Sequence, residues 1–99
     1  MKATEIYKKT IDLMGESAQR NMTIEECAEL IFALEKENRG QVTQDDVITE
    51  IADVMIMTEQ LAMIYGRGRV EAEKQYKQRR LLSRITGTDN SETKIEQDI

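Results

Sequence analysis

Not one of the 99 residues is proline. Nothing in the chain therefore forces a helix to kink or stop, and no N–H is missing from the backbone. The chain is rich in Glu, Met, Leu, Ile, Lys and Gln, which are good or acceptable helix formers. Glycine is left as the main punctuation, and Gly15, Gly40, Gly66 and Gly87 divide the chain into four stretches and a tail.

Helical spacing fills each stretch. The first helix is expected over 4–14, carrying Ile6, Tyr7, Leu13 and Met14, with 15–21 as the joint. The second is expected over 24–38, with Ile24, Cys27, Ala28, Ile31 and Leu34 at helical intervals, Thr23 as N-cap and Gly40 just past its end. The third starts from Thr43 or Asp45 and runs to Tyr65, where Gly66 ends it. It is apolar almost all round, which predicts burial on more than one side and, in so small a protein, a partner subunit. The residues expected at that interface are Val54, Met55, Ile56, Leu61 and Met63. The fourth helix, expected over 70–85, is basic through Lys74, Lys77, Arg79, Arg80 and Arg84. The chain thus reads as all-α, with a helical domain over 1–86 and a disordered polar tail over 87–99.

Composition closes off several chemistries. With no histidine and one cysteine, the chain has no Ser-His-Asp triad, no Cys-His nucleophile, no zinc finger and no internal disulfide. A lone thiol fits a reducing, cytoplasmic setting. The net charge of −5 counts against nucleic acid as a partner. No apolar run reaches the roughly 18 residues a membrane span requires, so no membrane partner is expected. A metal here must be held by oxygen, which selects a hard cation.

Carboxylates for such a site recur at helical spacing. Glu25, Glu26 and Glu29 can share a face of the second helix, and Glu50 and Asp53 lie one turn apart on the third. The plain alternative for the first group is a solvated acidic helix start, with Glu26 in a capping box with Thr23. Glu50 and Asp53 are harder to dismiss, because they share a stripe with Met57, Leu61 and Ile64. Two acids on an apolar stripe need a cation, which is either a basic side chain such as Lys77 or Arg80 or a metal ion. If the two helices pack antiparallel, Glu26, Glu29, Glu50 and Asp53 form an all-oxygen cage. Such a cage suits Mg2+, with Mn2+ possible, bound together with a phosphate substrate. Cys27, on the apolar face, reads as packing rather than as a nucleophile.

The run Glu25-Glu26-Cys27-Ala28-Glu29, followed after twenty residues by Glu50-Ile51-Ala52-Asp53, resembles the EExxE and ExxD signature of MazG-like all-α nucleotide pyrophosphohydrolases. The likeness covers about 4–85, is nearest to small single-domain members, and leaves the tail out. It implies a four-helix bundle-like protomer of the MazG and dimeric dUTPase type, assembling as a homodimer or homotetramer. It further implies Mg2+-dependent hydrolysis of a nucleoside triphosphate to the monophosphate and pyrophosphate, as in nucleotide-pool house-cleaning. Carried over residue by residue, Glu26, Glu29, Glu50 and Asp53 are the metal ligands and Glu25 orients or deprotonates the attacking water. Lys77 and Arg80 match the basic residues that contact phosphates. Gln60 stands where many relatives have asparagine. Two alternatives accompany this expectation: a phosphoribosyl-ATP pyrophosphohydrolase, and a non-catalytic helical module binding through its basic fourth helix.

Overall fold

In the computed structural model, residues 1–98 are described, and they form four helices: α1 (Ala3–Met14), α2 (Glu16–Asn38), α3 (Gln44–Tyr65) and α4 (Arg67–Thr86). Among the described residues there is no strand, and the fold is all-α. Among the described residues no helix is long and apolar enough to cross a membrane.

The glycines act where expected. Gly15, at φ 94° and ψ 149°, ends α1 and opens α2, so the joint is one residue rather than the seven expected. Its N–H bonds the Ile11 carbonyl, and its own carbonyl accepts from Gln19 N–H. At the end of α2, Gly40 has φ 72°. Its N–H reaches the Glu37 carbonyl at 2.9 Å, and the Gln41 N–H reaches the Lys36 carbonyl at 2.8 Å. That pair of bonds is a Schellman motif, which stops a helix cleanly and lets the chain turn back. At the start of α3 the Asp46 carboxylate accepts from both the backbone N–H and the hydroxyl of Thr43, at 2.9 and 3.1 Å. Thr43 is therefore the cap of α3.

The start of α2 corrects the sequence reading. Thr23 lies inside the helix, and its hydroxyl donates back to the Gln19 carbonyl at 2.8 Å. A Thr-x-x-Glu spacing serves equally as a capping box or as an interior turn with a back-bonded threonine. The upstream Ser17-Ala18-Gln19-Arg20-Asn21 continues the helix because it contains no breaker.

The chain divides into two compact units, Met1–Ile64 and a second that begins at Tyr65. In the first unit α2 and α3 run antiparallel. Gln19 faces Gln60 at one end, Glu26 and Glu29 meet Glu50 in the middle, and Ala33 and Asp46 share a cavity near the turn. The first helix lies against α2, and its Tyr7 phenol is close enough to the Glu59 carboxylate of α3 to feel it. Hydrogen bonding to Glu59, burial and the Glu59 charge all favour the neutral phenol, so the Tyr7 pKa is raised.

The core of this unit is thin. Ala33, Val47 and Met57 are its buried apolar residues, beside the buried polar Gln19, Thr23 and Gln60. Ile48, Ile51, Met55 and Ile56 of α3 are exposed, at 59, 43, 51 and 43%, and so are Ile24, Ile31, Phe32 and Leu34 of α2. Cys27 is half-buried with a free thiol.

In the second unit, α4 ends at Gly87, which adopts the left-handed conformation and bonds the Ser83 carbonyl. The segment 87–98 is irregular and folds back along α4. The Gln78 and Gln97 side-chain amides pair reciprocally at 3.0 and 2.7 Å, and the Asn90 N–H donates to the Ser83 hydroxyl oxygen.

Candidate metal centre

Antiparallel pairing of α2 and α3 brings acids from both helices to one place. Carboxylate oxygens of Glu26, Glu29 and Glu50 all lie within 4.8 Å of one another. Glu26 and Glu50 are half-buried and Glu29 is exposed. One oxygen of Glu26 (Oε2) and one of Glu50 (Oε2) are shielded from water and have no hydrogen-bond partner. Such atoms are rare in folded proteins, because an unpartnered buried acceptor loses its water without compensation.

The electrostatics match. Burial pushes the Glu26 pKa up, helped by the negative charges of Glu29, Asp53 and Glu50. The Glu50 pKa is raised in the same way, by burial first and then by Glu29 and Asp53. Glu26 and Glu50 resist ionising beside the neighbouring acids, so a bound cation would gain what these two now lose.

Two features of the site differ from expectation. Glu26 and Glu29 sit in the middle of α2 rather than at its N-terminus, and Glu50 lies about two turns into α3. The helix dipoles, which act only within the terminal turns, therefore do little for their charge. The close trio also excludes Asp53, which is half-buried and acts on Glu26 and Glu50 through its charge. Glu25 is exposed and stands outside the trio.

A cavity of about 290 Å³ adjoins the acids. Phe32, Ala33, Lys36 and Val42 line it, together with Asp46, Glu29 and Glu50. The sequence patterns did not single out Phe32, Lys36 or Val42, since the cavity arises only where α2, the turn and α3 converge. In the second unit, Lys77 and Arg80 are both exposed, and Lys74 pairs with Glu71 at 3.4 Å. Arg80 lines a separate cavity on α4 with Arg79 and Arg84, and Lys77 does not.

No family model, curated protein or solved structure matches the chain.

Proposed function

We propose that the protein is a metal-dependent nucleoside triphosphate pyrophosphohydrolase of the MazG-like type, cleaving its substrate with water to the monophosphate and pyrophosphate. The observation that carries this reading is the pair of shielded, unpartnered oxygens on Glu26 and Glu50 within a trio of converging carboxylates. An all-oxygen, strongly negative donor set fits Mg2+, with Mn2+ the next candidate.

Glu26, Glu29 and Glu50 would hold the cation, and Asp53 adds a fourth negative charge to the set. A bound divalent cation neutralises phosphate charge and makes water easier to deprotonate. The residues do the rest. Antiparallel α2 and α3 fix the acids before substrate arrives, so little is lost in reorganisation at the reacting phosphorus. The exposed Glu25 carboxylate, next to Glu26 in the chain, is assigned to the proton of the attacking water. The cavity beside Glu29 and Glu50 offers room for the substrate, with Lys36 on its wall for phosphate charge. The roles of Lys77 and Arg80 at the phosphates rest on the resemblance alone.

A homodimer or homotetramer built through α3, in the cytoplasm, completes the proposal. Its support is the apolar row Ile48, Ile51, Met55 and Ile56, exposed on α3. The deciding experiment is a panel of nucleoside triphosphates assayed for pyrophosphate release with Mg2+ and with chelator. Metal-dependent pyrophosphate release that Glu50→Gln abolishes supports the reading. Diphosphate and single phosphate as the only products would overturn it.

A further inference from the structure

The composition of the tail predicts disorder, yet 87–98 lies back along α4 on two polar anchors. At the near end the Asn90 N–H donates to the Ser83 hydroxyl oxygen at 3.2 Å. The Asn90 side-chain amide holds the bend, donating to the Thr86 hydroxyl at 3.0 Å and the Thr88 carbonyl at 3.1 Å. At the far end the Gln97 and Gln78 amides exchange hydrogen bonds, 19 residues apart in the chain.

The returning segment is opposite in charge to the helix beneath it. α4 carries seven basic residues and two acidic ones, whereas 87–98 carries Asp89, Glu92, Glu96 and Asp98 against Lys94. Asp89 shares a cavity of about 290 Å³ with Arg79, Arg80 and Arg84. The Ser91 N–H bonds its Oδ1 at 2.9 Å, an Asx turn that fixes the carboxylate there. Arg80 is the residue assigned above to substrate phosphate, so the tail brings an anion of its own to the same guanidinium. The rival is a weak one, since a carboxylate offers one charge and two oxygens where a terminal phosphate offers more of both.

The hold is also weak enough to release. Ile95 is the sole apolar residue of 87–98, and it is only half-buried. Both anchors are neutral amide and hydroxyl bonds, which contribute little against water. Among the described residues no ion pair joins a tail carboxylate to α4. The Arg79 Nε–H is shielded without an acceptor, which costs the closed arrangement further. A segment held in this way opens locally while its helix stays folded.

We propose that 87–98 is an autoinhibitory strap, which sets Asp89 against Arg80, competes with the phosphates of the substrate and lifts when substrate binds. The inference rests on the hydrolase reading for the role of Arg80. The strap itself lies outside the region of MazG resemblance.

The test compares the full-length wild type with Gln97→Ala, which loses the far anchor without a change of charge, and with Asp89→Asn, which loses the competing anion. Both positions are exposed, so neither change threatens the helices. Pyrophosphate release is measured against nucleoside triphosphate concentration at saturating Mg2+. A closed strap lowers apparent affinity by the fraction of molecules that are open, so KM should fall about threefold or more in each variant while kcat stays level. Amide hydrogen exchange supplies a second readout. Mg2+ with a non-hydrolysable nucleoside triphosphate should speed exchange at Asn90, whose N–H is bonded to Ser83 while the strap is closed. Release with the same KM in all three proteins would overturn the strap and leave the hydrolase reading intact. A KM that rises in the variants, or Asn90 exchange that is unchanged or slowed by the nucleotide, would overturn it too, by showing a tail that ignores the substrate or helps to hold it. No pyrophosphate release from any of the three would instead remove the hydrolase reading, and the strap's role with it.

Discussion

The Gln19 side-chain amide donates to the Gln60 amide oxygen at 2.7 Å, and both residues are buried, at 5% and 3% exposure. It is a polar clasp between α2 and α3 in a unit with few buried apolar residues. The Gln60 amide nitrogen donates to the Met57 sulfur, 3.9 Å away. The clasp fixes the helix register that brings Glu50 to Glu26 and Glu29.

Breaking the clasp from one side should therefore cost more than removing it. Gln60→Met leaves the Gln19 amide buried without its acceptor, a loss of about 1–3 kcal/mol. Adding Gln19→Met should recover much of that, because two thioethers of similar shape need no partner. Urea denaturation midpoints of the wild type, the single variants and the double variant form the cycle that checks this.

Much of the helical layout was legible, and the reasons are local. Gly15, Gly40, Gly66 and Gly87 mark the ends of helices, and Thr43 caps α3. The helix start at Glu16 was missed because Thr23-x-x-Glu26 carries two local meanings. The convergence of Glu26 and Glu29 with Glu50 followed from spacing and an assumed antiparallel pair. Which acid stands apart did not, since the exclusion of Asp53 depends on the rotation of α3 against α2. Gln19 as partner of Gln60, Lys36 beside the acids and the shielded Arg79 depend on contacts between distant residues, or on packing, that no local pattern encodes.

Exposure of Ile51, Met55 and Ile56 predicts self-association. Light scattering at micromolar concentration should give at least twice the 11.4 kDa chain mass. Met55→Lys with Ile51→Lys should shift the protein toward monomer, since a charge on each exposed position cannot be buried in a partner without a large cost. A monomeric wild type would defeat the idea of an α3 interface.

The raised pKa values of Glu26 and Glu50 fix the sign of a pH effect in the metal-free protein. A carboxylate whose pKa is higher folded than unfolded makes the native state bind more protons, so stability falls as pH rises. Its contribution is complete below the unfolded value of about 4.5 and is lost as pH climbs through the raised folded value. In chelator, the melting temperature should therefore rise from neutral pH toward pH 5. Glu50→Gln should flatten that slope, because one of the two groups no longer titrates.

Magnesium should act in the opposite sense, and it separates the four acids. A cation that binds only the folded state stabilises it by mass action, by about 2.7 kcal/mol at a hundredfold excess over Kd. It also needs ionised ligands, so its effect on the melting temperature should grow between pH 5 and 7.5. Glu50→Gln removes a member of the close trio and should abolish the magnesium shift together with turnover. Asp53 lies outside the trio and acts through its charge, so Asp53→Asn should keep a smaller shift with weaker affinity. Neither change should lower the melting temperature in chelator, because each relieves repulsion among clustered acids. If Asp53 were the anchor of an ion pair instead, Asp53→Asn would unpair a buried cation and destabilise the protein whether or not magnesium is present. Thermal melts of the three proteins with magnesium and with chelator distinguish these outcomes, and a wild type indifferent to magnesium would remove the metal centre and with it the hydrolase reading.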